Sequence, residues 1–203
     1  MTKKHKVHEK GFLKELLKSK KTVFSFKDLL LIWENIDAKT ARSRIHYYLK
    51  RGDLYHIRRG FYAKDKNYDR FEFATKIYTP SYISFESVLV NAGVIFQHYR
   101  QIFVASYQSK ELICDKQKYL FKKLKTSILI NGLGIENKEN YSIASPERAF
   151  LDILYLNKDY YFDNMSSLNW EKIYKILPIY GINKRMKKVV NANYKTFKEK
   201  FGK

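Results

Sequence analysis

The chain has 203 residues, of which 45% are hydrophobic, 30% charged and 16% aromatic. That balance fits one large or two small folded domains and excludes a disordered chain. Forty Lys and Arg stand against twenty Asp and Glu, a formal charge of +20, so a compact form repels itself and an anionic partner relieves the repulsion.

Nucleic acid is the first candidate for that partner and an anionic membrane surface the second. No stretch approaches the roughly 20 apolar residues of a membrane span, and the opening MTKKHKVHEKGFLKELLK lacks the apolar run of a signal peptide. Cys114 is the single cysteine, which rules out an intrachain disulfide and suits a reducing compartment. A cytoplasmic protein without membrane attachment is expected. Lysine is the default cation of an AT-rich genome, and 31 of the cations are lysines. The nine arginines are distributed differently: five of them, Arg42, Arg44, Arg51, Arg58 and Arg59, fall within 18 residues. Arginine is the cation that grips phosphate and guanine edges with a planar fork.

In chain order, Phe12, Leu13, Leu16 and Leu17 share one face of a first helix. Ser25 caps a second, with Phe26, Leu29, Leu30 and Trp33 inward. Asp37 caps a third whose inward positions are Ala41, Ile45, Tyr48 and Leu49, and Gly52 ends it. Leu54 to Ile57 and Phe61 to Lys64 read as strands around Arg58-Arg59-Gly60, a hairpin. Three helices and a β-hairpin are the order of a winged helix-turn-helix, predicted for residues 1–66. The polar run Lys64-Asp65-Lys66-Asn67 then marks a boundary.

Residues 67–203 read as a larger mixed α/β domain, so the fold class is α+β. Tyr82 to Ser84 is extended and Phe85 to Asn91 helical, with Gly93 at its end. Gln101 to Tyr107, Tyr119 to Ile130 and Tyr141 to Ala144 read as strands. Ser145-Pro146-Glu147 opens a helix with cap, first-turn proline and first-turn acid, and Phe150, Leu151, Leu154 and Tyr155 give it an apolar face. Asn169 caps a helix through Leu177, and Asn183 starts a last, basic one.

The third helix carries the candidate chemistry. Opposite its core side lie Lys39, Thr40, Arg42, Ser43, His46 and Tyr47, with Arg44 and Lys50 near the flanks. Such groups contact base edges and phosphates, and several occupy the helix half that enters the major groove in this motif. Arg42 is expected to read bases, whereas Lys39 and Arg59 position the protein on phosphate. Arg58 and Arg59 at the hairpin tip are expected to reach a neighbouring phosphate or the minor groove. The last helix, with Lys184, Arg185, Lys187 and Lys188 at its start and Val189, Val190, Tyr194, Phe197 and Phe201 on an apolar side, offers a second DNA or partner surface, or packs on its own domain with its lysines in water.

Catalytic patterns are thin. His5 and His8 sit in a lysine-rich terminus that reads as disordered, and His46, His56 and His98 have no Cys or carboxylate at metal-ligand spacing. No Gly-rich phosphate loop occurs. Arg148 and Asp152, one helical turn apart, read as an intrahelical ion pair. Asp159 and Asp163 flank Tyr-Tyr-Phe without a nuclease pattern. No enzyme, cofactor or metal is expected.

Three stretches in this order, RRGFYAK, YISFESVLVNAGV and ASPERAFLDILYL, resemble the AbiEi-type antitoxins of bacterial type IV toxin–antitoxin systems. The region after Leu156 does not match that family residue by residue. The resemblance implies an N-terminal winged helix that binds inverted repeats in its own promoter, mapping onto Lys39 to Tyr47 and Arg58-Arg59. It also implies a C-terminal domain that counteracts a nucleotidyltransferase-class toxin without a stable complex, in abortive infection against phage. Double-stranded DNA and that toxin are then the expected partners. The alternatives are a stand-alone transcription regulator whose second domain senses a ligand or partner, and an RNA-processing or nuclease-like enzyme.

Overall fold

The computed structural model describes residues 9–34, 36–181 and 183–201; His5 and His8 lie outside them. The protein is mixed α+β with two sheets, and its chain forms two compact units, Met1–Phe73 and Ala74–Lys203. The division falls beyond the polar run at 64–67 because the following turn is tied back. The Glu72 carboxylate accepts the Thr22 N–H at 2.8 Å and the Thr22 hydroxyl at 2.7 Å. Phe73 packs edge-on against Phe61, their ring centroids 5.7 Å apart.

The first unit contains α1 (Glu9–Lys18), β1 (Val23–Ser25), α2 (Phe26–Ile32), α3 (Ala38–Arg51), β2 (Tyr55–Arg58) and β3 (Phe61–Ala63), and α4 (Arg70–Ile77) spans the division. Ser25 starts α2 through a reciprocal cap: its hydroxyl accepts the Asp28 N–H at 3.0 Å, and the Asp28 carboxylate accepts the Ser25 N–H at 2.8 Å. Phe12, Leu16, Phe24, Leu29, Trp33 and Ile45 meet in the core, each contributing about 1.5–3 kcal/mol by leaving water. The buried Trp33 indole donates to the Phe12 carbonyl at 3.0 Å.

Two expectations change here. Leu17 is not inward but 57% exposed, because at about 100° per residue it lies roughly 120° from the midpoint of Phe12 and Leu16. The hairpin strands form, but β1 joins them, pairing antiparallel with β3 (Val23↔Ala63) to give the order β1-β3-β2. Three residues are too few to show an alternating pattern in the sequence.

The second unit contains β4 (Ser81–Ile83), α5 (Glu86–Leu89), β5 (Ile102–Ser106), β6 (Lys110–Cys114), β7 (Gln117–Lys123), α6 (Thr126–Leu129), β8 (Ile135–Asn137), β9 (Ser142–Ala144), α7 (Pro146–Leu156), α8 (Trp170–Ile176), a 3-10 turn at Leu177–Tyr180 and α9 (Lys184–Phe201). Its six-stranded sheet runs β6-β7-β5-β4-β9-β8. β5 pairs parallel with β7 and β4 parallel with β9, and the other pairs are antiparallel. Every residue of β5 is buried, as a central strand covered on both faces requires.

The predicted strand from Tyr119 to Ile130 is shorter than expected. β7 stops at Lys123, and residues 126–129 turn into α6, where the Ile128 and Leu129 N–H groups donate to the Lys125 carbonyl at 2.9 and 3.0 Å. Burial of Ile128 and Leu129 overrides the strand preference of TSILI. β6 and β8, unexpected from the sequence, are the two edge strands, and their largely exposed positions leave no apolar alternation to read.

α7 begins as predicted: the Ser145 hydroxyl accepts the Arg148 N–H at 3.3 Å and Pro146 fills the first helical position. It is buried from Glu147 through Leu154 and packs against α5, α8 and α9. A single apolar stripe therefore understates it. It is the central helix of its unit.

Candidate nucleic-acid interface

α3 is held at both ends by its sequence. The Asp37 carboxylate accepts the Lys39 and Thr40 N–H groups, each at 2.9 Å, and the Thr40 hydroxyl at 2.5 Å. The Thr40 hydroxyl first, and the backbone donors with it, hold this carboxyl below the usual aspartate range. At the other end Gly52 takes φ 78° and donates to the Leu49 carbonyl at 3.1 Å, a left-handed stop that L side chains disfavour. Ala41, Ile45 and Tyr48 are buried between these ends.

Around the helix, Lys39, Ser43, His46 and Lys50 form the exposed outer face. The Ser43 hydroxyl donates to the Lys39 carbonyl at 3.3 Å, and Thr40 is engaged by the cap. Arg42 lies on one flank, its guanidinium 5.0 Å from the centroid of Phe26, the first residue of α2. The Phe26 N–H donates to the Gly60 carbonyl at 2.9 Å. Burial pushes the Tyr62 phenol of β3 up, and the Arg42 charge pulls it back. One ring and one backbone hydrogen bond therefore join the Arg42 flank to the hairpin tip.

At that tip Arg59 is exposed and Arg58 half-buried. Gly60 has φ 82°, and the β2–β3 register shifts between His56 and Arg58. Phe26 and Tyr62 were not among the predicted site residues; the Ser25 cap was the available signal that α2 begins beside this surface.

Arg44 and Tyr47 lie on the opposite flank. The Arg44 guanidinium sits 4.6 Å from the Phe12 ring centroid of α1. The Tyr47 hydroxyl accepts from Arg51 at 2.8 Å, and Arg51 pairs with Asp53 at 3.0 Å. The nine predicted contacts therefore divide. Lys39, Ser43 and His46 form the outer face of α3, Arg42 lies on the flank linked through Phe26 to the tip that carries Arg58 and Arg59, Thr40 serves the cap, and Arg44 and Tyr47 face α1.

In the second unit, Lys184, Arg185, Lys187 and Lys188 are exposed on α9 while Met186 and Val190 are buried. Arg185 is engaged within the unit: it donates to the Leu154 and Tyr155 carbonyls at 3.4 and 2.8 Å, covering the carbonyl end of α7. Trp170 packs on Tyr194 and Phe197, centroids 5.0 and 5.3 Å away; the Phe201 side chain lies outside the described residues.

The Arg148–Asp152 pair exists, but as the centre of a buried polar cluster. Asp152 accepts the Tyr82, Ser84 and Tyr180 hydroxyls at 3.0, 2.7 and 2.7 Å. Arg148 donates to the carbonyls of Ile128 and Leu133, each at 2.7 Å. Burial, then the Asp152 charge, hold the Tyr82 and Tyr180 phenols well above their usual range, so both remain donors. With neither charged side chain exposed, the cluster ties α6, α7 and β4 together and offers no reacting group to solvent.

Asp163 accepts the Phe96 N–H at 2.8 Å, and Asp159 lies beside Lys158 at 3.9 Å. Among the described residues, no three His, Cys, Asp or Glu side chains gather as metal ligands do. No described helix is long and apolar enough to cross a membrane. No protein-family model and no curated protein matches the chain.

Proposed function

We propose that the first unit is a winged helix that binds duplex DNA, and that the protein is an autorepressing antitoxin of the type IV kind. The observation that carries the DNA reading is the connection from Arg42 through Phe26 to Gly60. It supports reading the outer face of α3 and the arginine-tipped hairpin as parts of one interface. On this reading α3 enters the major groove, with Arg42 reaching base edges and Lys39, Arg58 and Arg59 meeting phosphate.

The excess of Lys and Arg over Asp and Glu is +11 in residues 1–66 and +9 in the remaining 137, so charge density is higher where the interface is proposed. The antitoxin role rests on the resemblance of RRGFYAK, YISFESVLVNAGV and ASPERAFLDILYL to the AbiEi-type family. On that reading the partner is a nucleotidyltransferase-class toxin, the setting the bacterial cytoplasm, and the second unit supplies protection.

The testing experiment has two arms. DNA from upstream of the protein's own gene and a scrambled duplex are titrated with wild-type protein, and the protein is co-expressed with a nucleotidyltransferase-like neighbouring gene. Tighter binding to the upstream DNA together with rescued growth supports both roles. DNA binding without rescue leaves a stand-alone regulator, and equal weak binding to both duplexes removes the repressor role.

A further inference from the structure

The apolar stripe of α1 is wider than the core of its unit. Phe12 and Leu16 are buried, while Leu13 is half-buried and Leu17 is 57% exposed. Leu13 and Leu17, with Tyr47 and Tyr48 of α3, form the floor of a groove of about 630 Å3. Tyr47 is itself 50% exposed. The rim is Lys14, Lys18, Arg44 and Arg51, and among the described residues no carboxylate lines the groove. Glu15 lies 3.5 Å from Lys18 and Asp53 3.0 Å from Arg51, so among the described residues the four cations of the rim outnumber the two carboxylates paired with it.

We propose that this groove between α1 and α3 docks an acidic amphipathic helix of a partner protein. Two helices with an apolar seam between them offer a third helix a place for its own apolar face. The cationic rim selects glutamates and aspartates beside that face.

Each other occupant fails on charge or chemistry. Residues 1–8, MTKKHKVH, carry cations and no carboxylate, the rim's own sign. A second copy brings another +11 over residues 1–66. Duplex DNA presents phosphates and polar edges, which give Leu13 and Leu17 nothing to bury against. The groove also lies on the flank of α3 away from the Arg42 side, so a docked helix and DNA occupy different faces. This assignment is independent of the DNA reading.

The test uses the full chain and a labelled peptide of about 18 residues, roughly five helical turns, with leucines on one face and glutamates on the other. A lysine-for-glutamate twin and an acidic peptide with scrambled leucines serve as controls, all at near-physiological salt. The acidic amphipathic peptide binds, and both controls bind at least about tenfold more weakly. Leu17→Glu lowers its affinity about tenfold or more, the loss expected when a buried leucine contact is removed, and Leu17→Ser lowers it less. Lys14→Glu with Lys18→Glu also weakens it. All four substitutions are at exposed positions, and circular dichroism checks that they leave the fold intact. Duplex DNA does not displace the peptide. Equal binding of the scrambled peptide, unchanged binding by Leu17→Glu, displacement by duplex DNA, or no binding at all overturns the proposal. So does a dimer in sedimentation that Leu17→Glu dissolves, which would make a second copy the occupant.

Discussion

Arg148 Nε lies 3.4 Å from Asp152 Oδ1 across one turn of α7, and neither side chain has any exposed surface. Removing one partner of a buried pair strands the other, which costs about 3–5 kcal/mol, whereas replacing both by apolar groups is often close to neutral. Asp152→Ala is therefore expected to destabilise the second unit by about that amount in urea melts. Arg148→Met combined with Asp152→Leu is expected to cost less than the two single changes together. A loss below about 1 kcal/mol in Asp152→Ala would show that the cluster does not hold α6 and α7 in place.

Glu147 gives the acid limb of stability a specific source. Burial pushes its carboxyl up, but the Lys172 ammonium at 2.9 Å and nearby backbone donors outweigh that, and its pKa falls below the ordinary 4.5. A carboxyl lowered by folding adds stability above its unfolded pKa and loses it as pH falls through its folded one. Thermal melts of wild type and Glu147→Gln are expected to differ near neutral pH and to converge below pH 4.5. A gap that stays constant down to pH 3 would assign the effect to packing, not ionisation.

Gly134 is constrained twice. Its φ is 78°, and an added Cβ would stand 2.8 Å from Ile176 Cδ1 and 3.0 Å from Arg148 Cβ. Gly134→Ala is expected to lower stability by about 1–3 kcal/mol, measured by denaturant midpoint. Gly60 has φ 82° but open space around it, so Gly60→Ala carries only the conformational part, about 1 kcal/mol. Equal losses at the two sites would remove the clash from the explanation.

On the proposed function, repression and protection separate. Arg58→Ala with Arg59→Ala is expected to derepress the promoter, read with a reporter, while cells carrying the toxin still grow. Death of those cells with a correctly folded double variant would show that protection needs the DNA-binding face.

How much of this was legible depended on whether the signal was local. Ser25, Asp37, Ser145 and Asn169 were readable as caps because a short polar side chain before an apolar run has few other uses, and all four accept helix N–H groups in the structure. The failures came from tertiary context. TSILI has strand-like residues, yet burying Ile128 and placing its carbonyl on Arg148 required a helical turn. Arg148 and Asp152 read only as an intrahelical ion pair, because i, i+4 spacing carries no information about burial. In the candidate interface the outward residues were visible from helical periodicity, but periodicity does not say which neighbour each flank meets. Arg42 was expected on the outward face and Arg44 near a flank, yet both lie on flanks beside different helices, one on Phe26 and the other on Phe12.

The division between base and phosphate contacts is tested by Arg42→Ala and Lys39→Ala. Removing a bidentate base interaction is expected to cost roughly 1–3 kcal/mol on the promoter duplex and much less on a scrambled one. Removing a phosphate interaction is expected to weaken both equally. A uniform drop for Arg42→Ala would place Arg42 on phosphate.

The salt dependence of binding to the promoter duplex reaches the central claim most directly. With about six phosphates neutralised, log K is expected to fall against log salt with a slope of about −5, and Arg58→Ala with Arg59→Ala is expected to make it shallower by about one unit for each phosphate that the variant no longer neutralises. A wild-type slope near zero, or one that the double variant leaves unchanged, would contradict DNA binding through α3 and the arginine-tipped hairpin.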